Sequence, residues 1–145
     1  MIKNIVFDMD GVLLDTEAVF MRCWKKLGEE LHLPNVEETA RKCIGITVTQ
    51  TEALFQKEYG EKYPCESYVG AANAIFYKQE ADQGIPEKPG VHELFAYLKE
   101  QNYRIGLASS TQQQAGYRQM KAAGIFDDFD VIVCGDMVTK SKPNP

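Results

Sequence analysis

The hydrophobic pattern opens with a short apolar run, Ile2 to Phe7, that stops at Asp8. A brief, mostly apolar run of this kind predicts a strand buried in a parallel sheet. Between residues 16 and 31 the period changes. Val19, Cys23, Trp24, Leu27 and Leu31 recur at helical spacing, which predicts an amphipathic helix with Thr16 or Asp15 as its cap. A second helix is expected over 36–43, opened by Asn35 and ended near Gly45. A third is expected over 49–59, stopped by Gly60. A fourth is expected over 65–82, with Tyr68, Ala72, Ile75, Phe76 and Gln79 along one face. Gly84, Pro86 and Pro89 then break the helical pattern.

From Pro89 onward helix and strand alternate. Leu94, Phe95 and Leu98 mark a helix over 91–102, and residues 103–108 read as a strand closed by Ser109-Ser110-Thr111. Residues 112–123 read as a helix ended by Gly124, and 129–134 as a strand running into Gly135-Asp136. Alternating units of this kind form parallel, doubly wound sheets. The expected fold is therefore α/β, with an all-helical block inserted after the first strand. No internal repeat or low-complexity segment is visible.

Bulk properties narrow the function. A net charge of −5 is spread over interspersed acids and bases. The clusters Lys25-Lys26 and Arg41-Lys42 are too small for a nucleic-acid surface. No apolar stretch approaches the ~20 residues of a membrane span, and the first strand runs into Asp8 without a signal-peptide core. Cys23, Cys43, Cys65 and Cys134 show no CxxC or metal-ligand spacing. Reduced thiols in a cytoplasmic protein are the expectation. His32 and His92 fall in segments that read as helical and are taken as structural or surface residues.

The chemistry sits in Asp8-Met9-Asp10-Gly11-Val12-Leu13-Leu14-Asp15-Thr16-Glu17. Two carboxylates one residue apart follow directly on a strand, and open α/β sheets build their sites at the carboxyl ends of strands. An Asp-rich turn is the plain alternative. The run nevertheless resembles the signature of the haloacid dehalogenase phosphohydrolase superfamily. Trp24, the Gly45 turn, Pro89-Gly90, Ser109 and Lys142-Pro143 follow in that family's order. The resemblance covers essentially the whole chain and is closest to the β-phosphoglucomutase and phosphoglycolate phosphatase branch. It implies a Rossmann-like parallel core (1–15 and 84–145) with a helical cap (16–83) inserted after the first strand.

It also implies roles. Asp8 is the nucleophile, forming an aspartyl-phosphate, and Asp10 is the general acid/base. Mg2+ is held by the Asp8 side chain and the Asp10 backbone carbonyl, which suits a hard cation that must offset clustered negative charge. Ser109 and Ser110, with the N–H groups opening the next helix, cradle the phosphate, and Lys142 reaches the phosphoryl group. Outside that context Ser109 is an ordinary helix cap, and Lys142 or its neighbour Lys140 a solvated charge.

In the family the chain continues past the Lys-Pro segment to another strand and an acidic pair that completes the Mg2+ site. The core is accordingly expected to be C-terminally incomplete, with a further metal ligand missing, poor Mg2+ binding and an exposed sheet edge that invites self-association. The cap departs from the mutase pattern. Phe20 stands where β-phosphoglucomutases place a His, and Val48 where they hold a second phosphate with Arg. The leading expectation is an Mg2+-dependent phosphatase on a small phosphorylated metabolite. A sugar phosphomutase and an inactive fragment or binding protein are the alternatives.

Overall fold

A computed structural model describes residues 2–44, 46, 48–60, 67–140 and 142. The elements run β1 (Asn4–Phe7), α1 (Thr16–Leu31), α2 (Val36–Lys42), α3 (Val48–Tyr59), α4 (Tyr68–Gln83), α5 (Val91–Glu100), β2 (Arg104–Ala108), α6 (Gln113–Ala122) and β3 (Val131–Val133). Short 3₁₀ turns at Phe126–Asp128 and Gly135–Met137 flank β3. Backbone contacts divide the chain into two units, Met1–Thr16 with Gly84–Pro145, and Glu17–Gln83.

In the first unit the described strands form a parallel sheet ordered β1-β2-β3. The class is the expected α/β with parallel pairing. Phe7, Phe95 and Phe129 pack as an aromatic chain, with ring centroids 5.3 and 5.4 Å apart. Val91, Leu98, Ile105, Leu107, Met120 and Ile125 are buried. The other sheet face carries the register row Val6–Gly106–Val131. There Val6 is 67% and Val131 59% exposed.

The strands are shorter than their hydrophobic runs. Pairing begins at Asn4 rather than Ile2, and at Arg104 after a turn in which Asn102 takes φ 58°. β3 keeps only Val131–Val133: Phe126–Asp128 coil into a 3₁₀ turn, and Asp130 meets Ile105 of β2 with its N–H on the carbonyl at 2.8 Å and its carboxylate, in place of a main-chain carbonyl, accepting the N–H at 2.7 Å. His32 is not helical. It lies just past α1 at φ 55°, a left-handed position at which the chain leaves the helix.

The second unit is helical. Trp24 stacks on Phe55 at 4.2 Å, and Leu27, Val36, Ala40, Tyr68, Val69 and Ala72 are buried with them. Phe20 stacks on Phe76 at 4.3 Å. The start of α4 is set by Glu52 of α3. Its carboxylate accepts Ser67 Oγ at 2.7 Å and the N–H groups of Tyr68 and Val69 at 3.0 and 2.9 Å. A carboxylate on the first free N–H groups of a helix satisfies donors that the helix itself leaves unpaired. The expected start at Cys65 and the Gly45 turn lie outside the described residues.

Candidate active site

Beyond Phe7 the backbone leaves the sheet and closes a tight turn. The N–H groups of Val12, Leu13 and Leu14 all converge on the Met9 carbonyl, at 3.3, 2.9 and 3.1 Å. Gly11 takes φ 74°, which a residue with a side chain adopts only at a cost. Met9, Leu13 and Leu14 are buried, whereas Asp8 is exposed and Asp10 half-buried. Burying the apolar members of the turn thus leaves both carboxylates outside the core. The two do not extend a strand, since pairing stops at Phe7. The chain after the turn is tied back by Asp15 N–H to the Pro86 carbonyl (2.7 Å), by Lys88 N–H to the Leu13 carbonyl (2.8 Å), and by a 2.6 Å ion pair between Lys88 and Asp15.

Asp8 Oδ1 accepts the Met9 N–H at 2.9 Å and Lys142 Nζ at 3.0 Å. The same ammonium donates to the Ala108 carbonyl at 3.1 Å, at the end of β2. Lys142 rather than Lys140 therefore meets the nucleophile candidate; Pro143 lies outside the described residues. Asp10 Oδ2 accepts the Thr111 hydroxyl at 2.7 Å and, at the outer limit of hydrogen bonding, the Ser109 hydroxyl at 3.5 Å. Ser109 is buried, and its Oγ accepts the Thr111 N–H at 3.1 Å. Ser110 is exposed and lines, with Ser109, Gly135, Lys140 and Lys142 among others, an open cleft of about 740 Å³. Asp8, Asp10, Ser109 and Lys142 are thus brought to one end of the sheet, with Ser110 beside them.

Two participants were not expected from sequence. Thr111 is the nearer hydroxyl to Asp10. The only signal for it was the run of three hydroxyl residues at a strand end, which reads equally well as a helix cap. The cap of α6 in fact comes from Asp136, beyond β3, whose carboxylate accepts the Gln113 N–H at 2.7 Å. The donors available to a metal are hard oxygens, the Asp8 carboxylate and nearby main-chain carbonyls. Among the described residues no group of three His, Cys, Asp or Glu side chains stands together. The buried thiols Cys23 and Cys134 have their pKa pushed up by burial and are unsuited to nucleophilic work.

The sequence model of the haloacid dehalogenase-like hydrolases matches residues 5–145. The chain belongs to this family. A phosphorylated carbohydrates phosphatase of Thermotoga maritima is 28% identical over 143 residues, covering 99% of this chain and 66% of its own length. A phosphoglycolate phosphatase of Nitrosococcus oceani is 33% identical over 149 residues, covering 99% and 65%. The β-phosphoglucomutase of Bacillus subtilis is 28% identical over 153 residues, covering 99% and 65%. The crystal structure of CbbY from Rhodobacter sphaeroides with bound phosphate matches at TM-score 0.64 and 27% identity, over 99% of this chain and 68% of that one. The chain spans about two thirds of the length of these relatives. In this haloacid dehalogenase-like chain the parallel sheet and helices are those of the family's α/β fold. Among the described residues no helix is long and apolar enough to cross a membrane.

Proposed function

We propose that this haloacid dehalogenase-like chain is an Mg2+-dependent phosphatase that acts on a small phosphorylated metabolite through an aspartyl-phosphate at Asp8. The observation that supports this most is the ion pair of Lys142 with Asp8, beside an Asp10 held by hydroxyl groups. Asp8 attacks phosphorus through a carboxylate oxygen, and the bond from phosphorus to the leaving oxygen breaks as Asp10 gives that oxygen a proton. Asp10 then takes a proton from water, the water oxygen attacks phosphorus, and the aspartyl–phosphorus bond breaks. Lys142 offsets charge on the transferring oxygens, and Ser109 and Ser110 with their neighbouring N–H groups hold them. Mg2+ would sit on the Asp8 carboxylate and the Asp10 carbonyl, where it supplies the charge neutralisation that two carboxylates facing a phosphate require.

In this reading residues 16–83 act as the cap that selects substrate. Phe20, stacked on Phe76, offers no polar atom, and Val48 is an exposed apolar residue. A mutase must grip two phosphates, each through charged contacts, so hydrolysis is favoured over isomerisation. The test is turnover of p-nitrophenyl phosphate and of glucose 1-phosphate with and without Mg2+, for the wild-type chain and Asp8→Asn. Mg2+-dependent release of phosphate that Asp8→Asn abolishes supports the reading. Equal activity of the two proteins, or isomerisation without hydrolysis, overturns it.

A further inference from the structure

We propose that Thr111 is a positioning residue for Asp10, anchoring Oδ2 so that Oδ1 is the oxygen that exchanges the proton with the reacting group. This rests on the phosphatase reading above. Among the described residues, both hydrogen bonds made by the Asp10 carboxylate go to Oδ2: Thr111 Oγ1 at 2.7 Å and Ser109 Oγ at 3.5 Å. The short bond belongs to Thr111. A hydroxyl can donate to Oδ2 whether Asp10 is a carboxylate or a carboxylic acid carrying its proton on Oδ1. The same anchor therefore serves both halves of the reaction, while a free carboxylate would rotate about χ2, a broad and nearly two-fold torsion.

Thr111 is itself held from several directions, as a positioning group must be. Its N–H donates to Ser109 Oγ at 3.1 Å, and its carbonyl accepts the Gly135 N–H at 2.9 Å. Two residues on, the Gln113 N–H is captured by Asp136. Ser109 N–H meets the Val133 carbonyl at 2.9 Å. The segment 109–113 is thus pinned to β3 and the turn after it, and Asp10, on the turn after β1, is oriented from there. A hydrogen bond spanning 101 positions of sequence ties the two turns at the end of the sheet.

The experiment compares wild type, Thr111→Val, Thr111→Ser, Asp10→Asn and the Asp10→Asn/Thr111→Val double variant, all in the full chain. Valine keeps the shape and removes the donor. Thr111→Val should lower kcat for p-nitrophenyl phosphate about tenfold with KM little changed, since misorienting a general acid/base forfeits part of its contribution. Thr111→Ser should recover most of the loss, and the double variant should be no slower than Asp10→Asn alone. Atomic-resolution crystal structures give the second readout. Asp10 should hold one carboxylate orientation in wild type and Thr111→Ser, and more than one in Thr111→Val. Unchanged kcat in Thr111→Val, an additive loss in the double variant, or an unmoved Asp10 would each overturn the assignment. A wild type without phosphatase activity would sink the phosphatase reading, and the Asp10 orientation in the Val and Ser variants would still decide whether Thr111 sets it.

Discussion

Lys142 and Asp8 lie 134 positions apart and meet at 3.0 Å. Both side chains are close to half exposed. Pairing of that kind in water contributes only about 0–1 kcal/mol to stability. Its value lies in where it puts the charge: the ammonium also reaches the Ala108 carbonyl, so it bridges the ends of β1 and β2.

Lys142→Ala should therefore separate function from folding. On the proposed phosphatase reading, loss of the cation beside Asp8 is expected to lower turnover about a hundredfold. The thermal midpoint should stay within a few degrees of wild type. Parallel p-nitrophenyl phosphate kinetics and thermal denaturation check both halves. A large loss of stability with unaltered turnover would mean that Lys142 is a structural clamp.

Glu52 gives a pH dependence with a defined sign. Burial works to raise its pKa, but the Val69 N–H, Ser67 hydroxyl, Tyr68 N–H and Gln56 amide together outweigh it, and the net pKa is lowered. A carboxylate depressed in the folded state stabilises above its unfolded pKa of about 4.3. That stability is lost as pH falls through the folded value. Glu52→Gln should cost about 1–2 kcal/mol at pH 7, as loss of a helix cap does. The gap from wild type should narrow in acid. Urea melts of both proteins at pH 7 and near pH 3 test this, and a gap that widens in acid would contradict it.

The sequence made the local features readable because they depend on neighbours in the chain. The apolar run before Asp8, the helical spacing from Val19 to Leu31 and the β/α alternation after Pro89 each correspond to an element of the structure. Strand limits were overestimated where an apolar residue does not pair. Ile2 is one case, 82% exposed before β1 begins. Thr111, Asp136 and Glu52 were not readable in their roles. Each acts on a backbone or carboxylate group from another element, which no local pattern encodes. Lys142 differs from Lys140 only in the Pro143 that follows it, a distinction that carries meaning only in the family context.

The sheet face carrying Val6 and Val131 should make the chain self-associate. β1 is an edge of the described sheet; its outward residue Val6, and Ile2 just ahead of the strand, are apolar and exposed. An open apolar edge is a template for pairing with a second copy. Sedimentation velocity over a concentration series should show reversible oligomers for wild type. Val6→Lys, which places a charge mid-strand, should be monomeric with the fold retained by circular dichroism. A wild type that stays monomeric at high concentration would refute the edge argument.

Gly135 offers a way to disturb the site from a residue that carries no chemistry. A Cβ built there would run into the carbonyl of Ser110, a backbone atom that cannot swing aside as a flexible side chain would. Its N–H also holds the Thr111 carbonyl at 2.9 Å. Gly135→Ala must therefore push segment 109–111 away from β3, and with it the hydroxyls that meet Asp10. Overpacking of this kind is expected to cost about 1–3 kcal/mol, and turnover should fall beyond what the remaining folded fraction explains. The comparison to make is Gly106→Ala, where a Cβ meets ordinary van der Waals contacts with Val6 at 3.5 Å and with the Ile5 carbonyl and Val131 at 3.7 Å. That variant should keep wild-type stability and activity, because nothing it touches reaches the site. If Gly135→Ala behaves like Gly106→Ala in both denaturation and kinetics, the turn after β3 does not support Thr111 and Asp10 as described.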